Sequence, residues 1–487
     1  MEHVLFILIF AILLLSPFVG LWVTFKKAGR KGWEGIVPIY NYYIMMKLTG
    51  KPNYWIFLFF VPFINVIAFY VLLLDFIKLF NKTSFGAQLL TVAFFPFYFC
   101  YIGLSPRVKF VGEEYKKYLK PKGPIREWVD AIIFAVVAAT IIRTFVLEPY
   151  TIPTPSMEKS LLVGDFLFVS KFHFGARVPM TPLAFPFAHH TMPIIGGKAY
   201  LDWPHLPYFR FPGLEKIHNN DVVVFNYPME ADSPFYRPVD KRENYIKRCV
   251  GIPGDKLEVR HGELYINDHL AEHFPGMQFG YYVYAEPNAV TDSVLEAIGI
   301  LHTDDMNESD YFPLPDTSGK AYARMTESMR TEFLKIKGVN KIVRAYNPPY
   351  YSSQDYEAYF PHDAEHFKFL LDDYGPITIP KKGVSVKLSP ENIAEYQRLI
   401  TIYEGHTLKI DGSKFYIDGQ LADHYTFAMD YFWMMGDNRH NSLDSRFWGF
   451  VPEDHIVGKA WFVWMSWNKY GSWLSKIRWS RLFSAIR

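Results

Sequence analysis
Three runs without a charged residue dominate the start of this chain: Val4–Thr24, Tyr54–Leu74 and Ala87–Leu104. A helix of about 20 apolar residues crosses roughly 30 Å of hydrocarbon, so each run is long enough to be a membrane span. No Lys or Arg precedes the first run and no small-x-small site follows it, which argues against a cleaved leader. The second and third runs, separated by a short segment that includes Asn81–Gly86, are expected to form a hairpin of spans. A fourth candidate, Trp128–Leu147, has only 12 uncharged residues between Asp130 and Arg143. That length also fits a buried helix. Both charges sit near the ends, where an arginine reaches back to water, and Trp128 suits an interface.

Basic residues orient these spans. Lys26, Lys27, Arg30 and Lys31 follow the first run, and Arg107, Lys109, Lys116, Lys117, Lys120, Lys122 and Arg126 follow the third. With four spans both clusters fall on the cytoplasmic side, and everything after residue 147 lies on the outer side. With three spans the large domain would be cytoplasmic. Ile36–Asn41 reads as a re-entrant or interfacial piece. Nothing catalytic is visible in 1–127, which reads as an anchor.

The whole chain has 487 residues, a net charge of +2, 50% hydrophobic and 18% aromatic content. The charge leaves no nucleic-acid footprint. Cys100 and Cys249 define no disulfide framework, and no His/Cys/Asp cluster has metal-ligand spacing.

Beyond residue 147 the pattern changes to short strands. Tyr150-Thr151-Ile152-Pro153-Thr154-Pro155-Ser156-Met157 is a stiff, extended corner, because each proline fixes its own φ and restricts the residue before it. Asp165–Ser170, Asp221–Tyr227 and Asn244–Ile252 read as strands, the last closed by a Pro253-Gly254-Asp255 turn. Alternation puts Lys247 on one face with Tyr245 and Cys249, and Arg248 on the other with Ile246 and Val250. Lys247 is then either an edge-strand lysine that guards against aggregation or a lysine kept from water. Residues 172–213 form a long aromatic loop that dips into a bilayer surface or packs on the core. Residues 256–272 and 408–424 are two hairpins with similar patterns, related or not. Between them, 273–405 reads as an inserted α+β subdomain, with a helix at Thr326–Ile336 and a helix start at Ser389-Pro390-Glu391. Last comes Gly436-Asp437-Asn438-Arg439-His440-Asn441-Ser442-Leu443-Asp444-Ser445-Arg446-Phe447-Trp448-Gly449, dense in polar residues between apolar strands. Asp444 and Arg446 are candidates for an ion pair.

Pro-x-x-Ser-Met, Gly-Asp-Phe, Tyr-Ile-Lys-Arg-x-Val-Gly-x-Pro-Gly-Asp and Gly-Asp-Asn-Arg-x-Asn-Ser-x-Asp-Ser-Arg-x-Trp-Gly, in this order, resemble the blocks of bacterial type I signal peptidases. The resemblance covers roughly 145–260 and 430–467. It implies a membrane-anchored, mainly β protein: transmembrane helices, then an antiparallel β catalytic domain with an inserted α+β subdomain. The expected plan is 1–127 membrane region, 128–147 fourth span, 148–272 and 406–487 catalytic core, 273–405 insertion. It implies a Ser–Lys endopeptidase with Ser156 as nucleophile and Lys247 as general base. Ser442 would aim the amine, and Thr154 would join the Ser156 N–H at the oxyanion. Arg248, Asp437, Asp444 and Arg446 would brace the site, without metal or cofactor. Signal peptides of secretory preproteins, the bilayer and the secretion machinery are the implied partners, and the outer face of the bacterial inner membrane the implied location. Two shallow pockets beside Ser156, lined by Ile152 and strand 165–170, would take the small residues that precede the cleavage site. His440 stands where the family commonly has Asp, with little effect expected, and Thr154 where many members have Ser. Dedicated maturation of a few surface proteins and an inactive signal-peptide receptor are the competing readings.

Overall fold
The computed structural model describes residues 2–60, 64–115, 124–303, 308–314, 319–348, 355–469 and 476–486. Part of the second basic cluster (116–122), part of the tyrosine-rich stretch (350–354) and part of the carboxy-terminal tail (470–475) lie outside them. The chain divides into two units, residues 1–139 and 140–487.

The first unit is helical: Glu2–Lys27, Tyr40–Thr49, Ile64–Lys78 and Phe85–Leu104, with short 3-10 turns between them. Its core holds Leu21, Phe25, Leu72, Phe76, Phe99 and Ile102. Helix Glu2–Lys27 lies close against Phe85–Leu104. A Cβ on Gly20 would come within 2.7 Å of the Pro96 carbonyl oxygen, and Thr24 Oγ1 donates across the contact to Phe99 O. The structure does not show the expected spans as such. Among the described residues no helix is long and apolar enough to cross a membrane. The 54–74 run starts as a 3-10 segment, Asn53–Phe60, and becomes an α-helix only from Ile64. The 87–104 run lies in one helix but kinks at Phe94, two residues before Pro96, which removes a helical donor and crowds the turn before it. Side chains of 4–14 in the first run lie outside the described residues. The fourth run is helix Pro124–Phe145, followed directly by a strand.

The second unit is built on an eight-stranded antiparallel sheet: β1 (Leu147–Thr151), β2 (Asp165–Ser170), β3 (Val222–Asn226), β4 (Asn244–Gly251), β5 (Tyr431–Met435), β6 (Val451–Pro452), β7 (Ile456–Ser466) and β8 (Ser484–Ala485). Its order is β1-β2-β7-β3-β4-β5-β6, with β8 paired to β7. β3 is apolar without alternation because both of its faces are covered. Val222 and Val224 pack with Ile152, Met157 and Leu167, while Val223 and Phe225 pack with Cys249, Met434 and Trp448. In register, Val223 opposes Lys247 and Met435 opposes Arg248, so three chain segments meet at the middle of β4.

Residues 279–344 carry a second antiparallel sheet, in the order Val339–Arg344, Phe279–Ala285, Lys320–Met325, Tyr311–Pro313, with its own core around Val283, Leu295, Met325 and Phe333. Thr326 caps the helix there, accepting from Met329 N, and the helix runs Glu327–Phe333. The later helix starts beyond Ser389: Asn392 Oδ1 takes the Ser389 N–H in a turn, and the helix is Ile393–Arg398. Residues 359–400 share one core with Leu257, Leu264, Phe415 and Trp433 rather than forming a body of their own. The two echoing hairpins are three-stranded meanders of the same plan, Lys256–Arg260/Glu263–Ile266/His269–Leu270 and Leu408–Asp411/Lys414–Ile417/Gln420–Ala422. The 172–213 loop packs on the core in part. Ala176, Met180 and Tyr200 are buried, while Ile194, Ile195 and Trp203 stand in the open.

Candidate active site
Thr154 precedes Pro155 and is held extended (φ −125°, ψ 152°), the region left to a residue before proline. The chain then tightens into the 3-10 turn Pro155–Met157. Met157 is fully buried beside Ile152 and Leu161, which pins the turn and leaves Ser156 only 8% exposed.

Lys247 comes to this turn from the middle of β4. Its Nζ donates to Ser156 Oγ at 2.7 Å and to Ile246 O at 3.1 Å, and it lies 5.6 Å from the Tyr245 ring centre. The side chain is buried, 4% exposed. Burial pushes its pKa down to about 8, against the opposing pull of Asp444 and Asp437. The opposition is weak because both carboxylates are already committed. Asp437 takes Arg248 Nε at 2.8 Å and Nη2 at 2.6 Å; Asp444 takes Arg446 Nε at 2.9 Å and Nη2 at 2.8 Å. Such two-pronged pairs satisfy the carboxylate in fixed geometry. Arg248 with Asp437 and Arg446 with Asp444 thus form two buried ion pairs.

The 436–446 segment clamps the serine turn. Asn438 N donates to Ser156 O at 3.1 Å, Asn438 Nδ2 to Pro155 O at 3.2 Å, and Asp437 N to Met157 Sδ at 3.4 Å. Gly436 sits where nothing larger fits: a Cβ there would lie 2.2 Å from Ser442 Oγ and 2.5 Å from Ser156 O. Gly436→Ala is expected to push the turn aside and lower peptide cleavage roughly 10²-fold, the scale of a displacement near 1 Å, with an unchanged circular dichroism spectrum.

Two expectations differ from the geometry. Ser442 Oγ does not bond to Lys247; it is buried beside Gly436 and has no hydrogen-bond partner among the described residues, because the Lys247 amine is turned toward Ser156 and Ile246 O. Ile152 and the inward residues of β2, Leu167 and Val169, are sealed in the core instead of lining an open pocket, since Val222, Val224 and Val463 cover them. Thr154 is exposed at the edge of the turn, and its hydroxyl makes no capping bond.

The sequence underrated His440. It is buried; its Nε2 donates to Asp372 Oδ1 at 2.9 Å, and its Nδ1 accepts the Gly280 N–H at 2.9 Å. A ring nitrogen that accepts a backbone N–H carries no proton, so the histidine is held neutral in one tautomer. His440 and Asp372 lie 68 residues apart, and only the departure at 440 from the usual aspartate signalled the contact. His440→Asp would set two buried carboxylates against each other and is expected to cost about 2–3 kcal/mol in denaturant unfolding at neutral pH. Adding Asp372→Asn should return most of that loss.

A family model described as signal peptidase, peptidase S26, matches residues 125–317 and 398–467, more than half of the chain, including Ser156, Lys247 and the 436–446 segment. The chain belongs to the signal peptidase family, peptidase S26. It is thus a serine peptidase with the signal peptidase activity of that family. Signal peptidase I of Buchnera aphidicola subsp. Acyrthosiphon pisum is 26% identical over 348 residues, which cover 71% of this chain and 77% of the relative. That of Haemophilus influenzae is 24% identical over 380 residues (78% and 81%), and that of Pseudomonas aeruginosa 24% over 339 residues (67% and 68%). Residues 33–113 match a separate family of unknown function. The family match is interrupted at 318–397, the stretch that contributes Asp372.

Proposed function
We propose that Ser156 is the nucleophile and Lys247 the general base of this signal peptidase. The 2.7 Å contact between two buried side chains carries the reading. The neutral amine takes the Ser156 hydroxyl proton as Oγ bonds to the scissile carbonyl carbon. The oxyanion receives the Ser156 N–H, one of the early helical-turn donors without a partner inside the turn, and the exposed Thr154 hydroxyl. The ammonium then protonates the departing amine. Water, deprotonated by the same lysine, releases the signal peptide from the acyl-enzyme. Ser442, with an uncommitted hydroxyl, accepts from the ammonium while Lys247 holds the extra proton.

The substrates are signal peptides of exported preproteins with small residues before the cleavage site. The domain plan we propose keeps 148–272 and 406–487 as the catalytic core, 273–405 as its insertion, and 1–147 as the membrane attachment, with the core on the outer face of the inner membrane. Protease digestion of intact spheroplasts tests the location: the domain should be cut, and full protection would reject it. A peptide boronate with alanine at the two small positions should add its mass to the tryptic peptide holding Ser156. Labelling elsewhere would overturn the assignment. Thr154→Val is expected to lower kcat about 10²-fold with KM nearly unchanged, the loss of one oxyanion donor, while Thr154→Ser retains activity.

A further inference from the structure
A second polar site lies in the catalytic unit, where helix Pro124–Phe145 ends and β1 begins. There a cavity of about 230 Å³ is walled by four cations, Arg143, Lys171, Arg177 and Lys241, and two carboxylates, Glu148 and Asp240. The carboxylates do not balance the cations. Glu148 alone serves two of them, Arg143 at 2.7 Å and Lys171 at 2.6 Å. Asp240 accepts from Thr181 N and Oγ1, each at 2.9 Å, and has no ion-pair partner among the described residues. Arg177 reaches only neutral acceptors, Asn226 Oδ1 at 2.7 Å and the Asp454 carbonyl; the Asp454 carboxylate is engaged by His455 at 2.6 Å.

Lys241 is the decisive group. Its side chain is more than nine-tenths buried, it faces the cavity, and its Nζ has no hydrogen bond or ion pair among the described residues; the Asp240 carboxylate acts on it only at longer range, and the Tyr200 ring centre lies 5.7 Å away. A largely buried ammonium without a hydrogen-bonding acceptor is costly, and the Arg177 guanidinium in the same wall adds to the cost, which the nearby Asp240 carboxylate offsets only in part. Burial accordingly pushes the pKa values of Lys171, Arg177 and Lys241 down. An anion in the cavity removes the penalty.

We propose that this cavity binds a phosphate group, with Lys241 and Arg177 as its principal donors. The chemistry fits: a phosphate monoester carries between one and a half and two negative charges, and its several acceptor oxygens can take an ammonium and a guanidinium together. The rim adds a second feature. Phe185 and Phe187 line the cavity and remain 51% and 55% exposed, an apolar edge beside a cationic wall. That edge suits a phosphate that carries an acyl chain as well as the free ion.

The test uses the full chain in neutral detergent, with inorganic phosphate and short-chain phosphatidic acid as probes and sodium chloride of matched ionic strength as control. Both probes should raise the melting temperature, and Lys241→Met should weaken both affinities at least tenfold while cleavage of a soluble peptide is unchanged. Lys241→Arg should retain binding, which answers a misfolded methionine variant. Tighter binding of phosphatidic acid identifies a lipid headgroup as the ligand; equal affinities identify the free ion. A shift reproduced by chloride, no shift with either phosphate, or wild-type affinity in a folded Lys241→Met or Arg177→Gln chain overturns the proposal.

Discussion
Ser156→Ala is expected to abolish preprotein processing, with kcat falling by roughly 10⁶, the loss seen when one member of a nucleophile–base unit is removed. Ser156 Oγ is the only side-chain atom that Lys247 Nζ contacts by hydrogen bond among the described residues, so no neighbouring hydroxyl stands ready to replace it. Single-turnover cleavage of a preprotein, read beside peptide affinity, separates chemistry from binding: affinity should hold while the rate collapses. Because the two groups act as a unit, a Ser156→Ala/Lys247→Met chain should be no slower than either single variant. Processing at the wild-type rate by Ser156→Ala would falsify the assignment.

Lys247→Met should be equally inactive, yet more stable than the wild type at neutral pH. The folded amine has a pKa of about 8, against an ordinary 10.5. Below pH 8 both folded and unfolded chains hold the proton, and the folded chain carries the full cost of a buried ammonium. As pH rises from about 8 to 10.5 the unfolded chain binds more protons than the folded one, and the wild type gains stability; above 10.5 the cost is gone. That gap corresponds to about 3 kcal/mol, less about 1 kcal/mol for the hydrogen bond that methionine cannot make. Denaturant unfolding of the two proteins across pH should show the variant's advantage largest below pH 8 and vanishing toward 10.5. Below pH 8, wild-type kcat/KM should rise about tenfold per pH unit, and it should level off above about 8. A variant less stable than the wild type at pH 7 would mean that the amine is not desolvated.

The contrast between Lys247 and Lys241 shows what a one-dimensional reading can reach. Lys247 sits in an apolar strand inside a long recognisable block, so the sequence singled it out through the resemblance, while alternation alone left it open between an edge position and a buried one. Lys241 sits in a short polar turn, Val239–Lys241, that looks solvated; it is buried only because the 172–213 loop and the start of β4 close over it. The same difference separates Ser156 from Ser442. Prolines at 153 and 155 set the backbone around Ser156 locally, whereas the orientation of the Ser442 hydroxyl depends on how closely Gly436 approaches the serine turn. The amino-terminal runs were legible as apolar stretches. Their continuity as helices was not: the 54–74 run begins as the 3-10 segment Asn53–Phe60, and the third run kinks at Phe94, where Pro96 was the local signal.

By itself the sequence determined the order of the blocks and the strands that carry them, and its resemblance to signal peptidases singled out Ser156 and Lys247. The strands depend on short-range physics: proline φ, side-chain alternation and runs of apolar residues that must leave water. Only the tertiary structure decided that an amine and a hydroxyl 91 residues apart meet at 2.7 Å, that His440 rests on Asp372, and that four cations share a wall with two carboxylates. Those contacts follow from strand register and from which side chains the packing seals away from solvent. Both are properties of segments far apart in the chain, and neither is written in any one of them.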